Sequence, residues 1–284
     1  DLHPRVRRQR QMCIRDRKRL KEKTLFLLDM DGTIYHENEL IDGTLDFFQT
    51  LVRQGKDYAF MTNNSSKSAK TYVEKLATLG IEATEANIVS SVNATVLYLN
   101  EQRPKGKLYV IGTNSFKQEL ADNGFEIVPV SSRDADVDFV VLGFDTELNY
   151  EKIVGGCYYV SRGYPYIATN CDMKCPIKGD RFIPDCGAIA QLIETATNRS
   201  PLLFLGKPNR TIVDVASQRF NTPLEQIVCV GDRLYTDIAV GINAGVDTVC
   251  VFTGEAKPDD ITNSNYKPTY TFETIRGLYE VIKN

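Results

Sequence analysis

The sequence predicts an α/β protein: a doubly wound parallel sheet carrying a second, inserted α/β unit. Three observations predict it. Apolar, β-rich runs alternate with helical patterns along most of the chain. The runs LFLL (25–28) and IVCV (227–230) are apolar at every position, as suits strands covered on both faces. And 145 positions separate Thr62 from Lys207, whereas one βαβ crossover needs roughly 30.

In chain order, the first strand is expected at 24–28, followed by a helix near 43–54. The second strand is expected at 57–61, followed by a helix near 67–79. The long middle stretch has strands of its own at 108–111, 137–142 and 166–168. Its helices fall near 115–122, 150–161 and 188–197. Strands return at 202–205, 227–230 and 248–252, separated by helices near 210–220 and 236–244, and a helix near 273–283 closes the pattern. Polar, turn-rich segments at 100–107 and 198–201 flank the middle. The expected division is a Rossmann-like core at 24–103 and 201–284, interrupted by a cap domain at 104–200. Residues 1–23 have no apolar periodicity and are read as a disordered basic extension or a cloning or assembly remnant.

Composition narrows the chemistry. With 284 residues, 42% apolar and 25% charged, the chain reads as an ordinary soluble globular protein. No apolar run approaches 18 residues, so no membrane partner is expected, and the basic start is unlike a secretory signal. Histidine occurs only at His3 and His36. That counts against serine hydrolases, zinc hydrolases and histidine phosphatases, and leaves carboxylates, lysines and hydroxyls. His36 itself follows the first of the motifs below and reads as a surface residue, with a place near the site as the lesser alternative. The first 23 residues carry a net +7, so the overall −3 leaves the body at −10. An acidic body is a poor nucleic-acid partner. Seven scattered cysteines read as reduced thiols in a cytoplasmic protein, with Cys171 and Cys175 at most half a metal site.

Four segments carry chemistry. In LFLLDMDGT, an apolar strand ends in Asp29 and Asp31. Residues two apart in extended chain point the same way, so two carboxylates converge there. Like charges so close need a cation or a shared proton. In YAFMTNNSS, Thr62 and the following N–H groups suit phosphate oxygens, while a helix-capping role for Ser65 or Ser66 fits as well. In FLGKPN, Lys207 is a lone cation that suits phosphate or an exposed loop. In VCVGDRLYTD, Asp232 suits a hard divalent ion, and Asp237 suits either that site or a helix cap. Parallel strands would set all four segments on one rim. Acidic ligands beside a phosphate-binding Lys and Thr describe Mg²⁺-assisted phosphoryl transfer.

These motifs, DMDGT, TNN, GKP and GDRLYTD in that order, resemble the four motifs of the haloacid dehalogenase superfamily of phosphatases. The long insertion between the second and third resembles the cap of class IIA, the 4-nitrophenylphosphatase/NagD-like branch. So do VVLGFDTELNYEKI, YIATNCD, PDCGAIAQLIETAT, VFTGE and KPTYTFETI. The resemblance implies a Mg²⁺-dependent phosphatase acting on a small phosphorylated metabolite. Asp29 would be the nucleophile and Asp31 the acid and base. Asp29, the Asp31 carbonyl and Asp232 would hold the metal, with Asp237 in support. Thr62, Asn63 and Lys207 would hold phosphate. Asn170, Asp172, Asp185, Cys186 and Gly187 would face the substrate from the cap, with a helix-cap role for Asp185 equally open. A homodimer is compatible with this branch. A phosphoryl transferase, or a phosphorylatable signalling protein with the same acidic site, is the alternative reading.

Overall fold

The computed structural model describes residues 14–177 and 181–283. The described chain runs through α1 (Ile14–Lys21), β1 (Leu25–Leu28), β2 (Tyr35–His36), β3 (Glu39–Leu40), α2 (Thr44–Arg53), β4 (Asp57–Thr62) and α3 (Ala69–Thr78). It continues through β5 (Ile88–Ser90), α4 (Ser91–Gln102), β6 (Lys107–Ile111), α5 (Asn114–Asp122), β7 (Glu126–Ile127), β8 (Phe139–Leu142), α6 (Tyr150–Ser161) and β9 (Tyr166–Ala168). The pair β10 (Lys174–Ile177) and β11 (Arg181–Pro184) precedes α7 (Cys186–Thr197) and α8 (Thr211–Arg219). Last come β12 (Ile227–Gly231), α9 (Ala239–Ala244), β13 (Asp247–Val251), α10 (Asp260–Asn263), β14 (Tyr270–Phe272) and α11 (Ile275–Ile282).

The main sheet has the order β14-β13-β12-β1-β4-β5, with every pairing parallel. Its central strands are buried on both faces, which explains their unbroken apolar sequence. Leu25 and Leu27 face one layer with Ile212 and Val213 of α8. Phe26 and Leu28 face the other with Phe47 and Leu51 of α2. The chain winds from β1 out to β5 on one side and from β12 to β14 on the other. β1 and β12 thus flank the switch point where such sheets bind ligands.

The second sheet, β7-β6-β8-β9, is the inserted cap and is also parallel. One face, with Tyr109, Ile111 and Leu142, packs on α6 and α7. The other, with Leu108, Val110 and Val141, joins the apolar cluster that contains α4, α8 and the main-sheet residues Leu25 and Leu27. Its helices begin where side chains satisfy free N–H groups: Thr113 for α5, Asn149 for α6 and Asp185 for α7.

Several expectations need correction. Residues 202–205 are not a strand of the main sheet. Phe204 bridges Ala168 of β9, and the N–H groups of Leu202 and Leu205 donate to Tyr166 and Ala168, so this stretch lies along the cap sheet. The basic segment is not structureless up to residue 23: from Ile14 it forms α1, with Leu20 fully buried. Burying one such side chain contributes about 1.5–3 kcal/mol. Lys23 and Arg19 both pair with the buried Asp247, at 2.6 Å each. Residues 1–13 lie outside the described residues. The strands β5 and β7, the pair β10–β11 and the helix α4 were not anticipated. His36 is exposed on the small β2–β3 hairpin. Among the described residues no helix is long and apolar enough to cross a membrane.

Candidate active site

Asp29 follows β1 directly, and its N–H donates to the Val230 carbonyl at 2.8 Å, which carries the ladder one residue beyond the strand. Asp232 stands just after β12, the neighbouring strand. Asp237 is brought back by a wide turn: residues Leu234–Ile238 form a π-helical turn, and the N–H groups of Asp237 and Ile238 both donate to the Arg233 carbonyl, at 3.0 and 3.1 Å. One oxygen from each of Asp29, Asp232 and Asp237 lies within 4.8 Å of the others. Asp232 is seated by the Thr33 hydroxyl at 3.2 Å and the Glu255 N–H at 2.8 Å. Asp237 accepts the Arg233 N–H at 3.0 Å.

Lys207 completes the cluster, just after the stretch that runs along the cap sheet. Its ammonium is 2.5 Å from Asp29 Oδ1 and 2.7 Å from Asp237 Oδ1. The side chain is only 5% exposed. Burial by itself would lower its pKa, but Asp237 and Asp29 outweigh that and hold it raised, so the ammonium stays charged. Burial pushes Asp29 up to about 7, against the pull of Lys207 and with the push of Asp237 and Asp232. Burial and Asp237 likewise raise Asp232. One ammonium thus faces three carboxylates. Hard oxygen donors around unbalanced negative charge are what a divalent cation such as Mg²⁺ requires, so the residues fit the ion.

Thr62 ends β4, and its hydroxyl approaches the Tyr72 hydroxyl at 3.4 Å and accepts the Asn64 N–H at 3.2 Å. The Asn63 amide is committed elsewhere: it donates to the Lys207 carbonyl and Asp172 and accepts the Lys207 N–H. Asp31 is exposed, its backbone bridging Tyr35.

The cap residues divide. Asn170 is fully buried and donates to Asp172 Oδ2 at 3.0 Å and Asp185 Oδ1 at 3.1 Å. Asp185 caps α7 through the Cys186 N–H at 2.6 Å, and burial pushes its carboxyl up to about 6. Gly187 donates its N–H to the Asp172 carbonyl at 2.8 Å. Cys186 does not face a substrate. Its side chain is fully buried in the apolar cluster behind the cap sheet, and burial pushes the thiol up to about 12.

A family profile described as haloacid dehalogenase-like hydrolase matches residues 26–126, and a second, HAD-hydrolase-like, matches residues 204–278. The 5'-nucleotidase YutF of Bacillus subtilis is 34% identical over 250 residues, covering 88% of this chain and 95% of that one. An acid sugar phosphatase of Staphylococcus aureus is 35% identical over 256 residues, covering 90% and 96%. The crystal structure of a 4-nitrophenylphosphatase from Thermotoga maritima superposes with a TM-score of 0.86 at 38% identity, covering 93% and 99%. The chain belongs to the haloacid dehalogenase-like phosphatases, class IIA.

In this phosphatase some supporting residues escaped the sequence reading. Thr33 was visible inside DMDGT, but its bond to Asp232 spans 199 residues. Arg233 and Glu255 pair at 3.2 Å beside the acidic cluster, and the Tyr235 hydroxyl donates to Glu255 at 3.1 Å. The segments GDRLYTD and VFTGE contain these residues, but nothing in either segment alone joins them.

Proposed function

We propose that this phosphatase hydrolyses a small phosphate monoester, with Mg²⁺, through a phosphoaspartate on Asp29. The observation that supports it most is the Lys207 ammonium held between Asp29 and Asp237, with Asp232 in the same cluster.

Asp29 Oδ attacks phosphorus, and the bond from phosphorus to the leaving oxygen breaks. Asp31, two residues on and exposed, gives that oxygen its proton. It then takes a proton from water as the water oxygen attacks phosphorus, and the bond from phosphorus to Asp29 breaks to release inorganic phosphate. Lys207 and Thr62 hold the phosphoryl oxygens, and the charge of Lys207 offsets the negative charge spread over them. Asn63, its amide already engaged, contributes to phosphate through its backbone. Asp29, the Asp31 carbonyl and Asp232 would hold Mg²⁺, with Asp237 steadying the set. When bound, the ion supplies positive charge at the phosphoryl oxygens and orients the nucleophile. Closed over the site, the cap would exclude water from the first step.

The test is release of 4-nitrophenol from 4-nitrophenyl phosphate with Mg²⁺, and with Mg²⁺ removed by chelation. Turnover should require the ion and vanish in Asp29→Asn. Peptide mass spectrometry of quenched wild type should place the phosphoryl group on Asp29. Equal rates in wild type and Asp29→Asn would end the proposal.

A further inference from the structure

A line of polar side chains crosses from the cap to Lys207, and the chemistry proposed above gives its amide and cap carboxylate groups no role. Its hub is Asn63. The Oδ1 atom accepts the Lys207 N–H at 2.7 Å, and Nδ2 donates to the Lys207 carbonyl at 3.0 Å. The amide therefore grips the lysine backbone at both its donor and its acceptor. The second Nδ2 hydrogen goes to Asp172 Oδ2 at 2.8 Å.

The carboxylate and the Lys207 backbone together determine which way this amide faces. A flip would set Oδ1 against both the Asp172 oxygen and the Lys207 carbonyl, and Nδ2 against the Lys207 N–H. Three attractions would become three repulsions. A carboxylate acceptor also makes the bond roughly twice as strong as a neutral one.

Asp172 is itself held. Its Oδ2 also accepts from Asn170, its carbonyl takes the Gly187 N–H, and Asn170 continues to the capping Asp185. On the other side, Gly206 gives the amide room: a Cβ there would stand 2.5 Å from Asn63 Oδ1 and 2.8 Å from the Thr169 carbonyl. The Ser91 hydroxyl donates to the Asn63 carbonyl at 2.8 Å and fixes its peptide.

We propose that Asp172 is a positioning residue: from the cap, through the Asn63 amide, it sets where the Lys207 ammonium sits. The inference rests on the phosphatase reading, in which Lys207 binds phosphate. Seating of the 170–172 segment and alignment of the cation then become one event.

The test compares Asp172→Ala, Asp172→Asn, Asn63→Ala and the double alanine variant with wild type, all with Mg²⁺. Substrates are 4-nitrophenyl phosphate and a nucleoside 5'-monophosphate, and inorganic phosphate is the competitive inhibitor. Inorganic phosphate has no leaving group, so it reports on the phosphate site alone. Asp172→Ala should raise its inhibition constant by about tenfold and lower kcat/KM on both substrates by a similar factor. The double variant should be no worse than Asn63→Ala, because the two residues act in series. An unchanged inhibition constant, with losses that differ between the two substrates, would make Asp172 a leaving-group contact and overturn the proposal. Fully additive losses would overturn the route through Asn63. If an alanine variant fails to fold, Asp172→Asn carries the comparison: its neutral acceptor should raise the inhibition constant of phosphate by a smaller factor on both substrates alike, and an unchanged constant would overturn the proposal. Wild-type turnover decides the phosphatase reading separately, and phosphate affinity by titration calorimetry gives the same comparison even without turnover.

Discussion

Gly254 lies so close to Asp232 that a Cβ on it would stand 1.9 Å from Oδ2 and 2.4 Å from Cγ. The same oxygen accepts the N–H of the next residue, Glu255, at 2.8 Å. The backbone at 254–255 is thus the wall against which the carboxylate is seated, and only a hydrogen fits between them. Gly254→Ala must displace the Asp232 carboxylate from this seat. Misplacement by about 1 Å can cost about 10²-fold in rate. The Mg²⁺ concentration for half-maximal activity should therefore rise by at least about tenfold, read from a Mg²⁺ titration. An unchanged requirement would remove Asp232 from the ion's ligands.

Lys207→Ala would leave Asp29 and Asp237 facing each other without their cation. Breaking a buried pair by removing one partner typically costs about 3–5 kcal/mol. Urea denaturation without Mg²⁺ should show a loss of that order, and phosphatase activity should disappear. Lys207→Arg should not restore activity, because a planar guanidinium cannot place one compact charge between two carboxylates.

Asp247 holds the amino-terminal helix to the core. Its carboxylate is buried and pairs with Lys23, which is buried too and also donates to the Glu225 carbonyl at 2.7 Å. Asp247→Ala should lower stability by about 3 kcal/mol and leave kcat/KM of the folded enzyme unchanged. Thermal denaturation and steady-state kinetics check the two halves separately, and a change in kcat/KM would show that the clamp reaches the active site.

Burial raises the Asp185 carboxyl from 3.8 to about 6. Between those values the folded protein binds more protons than the unfolded chain, so stability falls as pH rises through that window and levels off above it. The shift corresponds to about 3 kcal/mol. Asp185→Asn keeps a capping oxygen without the charge, so its stability should stay flatter from about pH 4 to pH 6 in urea titrations. Parallel profiles for the two proteins would contradict the assignment.

Much of the candidate site was legible because its chemistry is local in the chain. Asp29 ends an apolar strand, Thr62 ends the second, and Asp232 follows a third, so strand pattern and carboxylate position could be read together. Lys207 was legible as a cation, but the path of the chain before it was not. The apolar run before it looked like a core strand, and hydrophobicity does not say which sheet a strand joins. Helix α4 went unread because its apolar positions do not form one clean stripe: Val92, Ala94, Thr95 and Leu99 are all buried, between neighbours on several sides.

The sequence by itself determined the alternation of strands and helices, the acidic and basic residue types at the strand ends, and the room for an inserted unit. Hydrophobic periodicity and short motifs act over a few residues, so they survive in one dimension. Only the tertiary structure decided the roles that depend on distant partners. It turned the Asn63 amide toward a lysine backbone 144 residues away and a carboxylate 109 residues away, and it buried Cys186 instead of presenting it. The physical reason is that a hydrogen bond needs its two partners within about 3 Å, and packing between sheets, which no local pattern encodes, sets that separation.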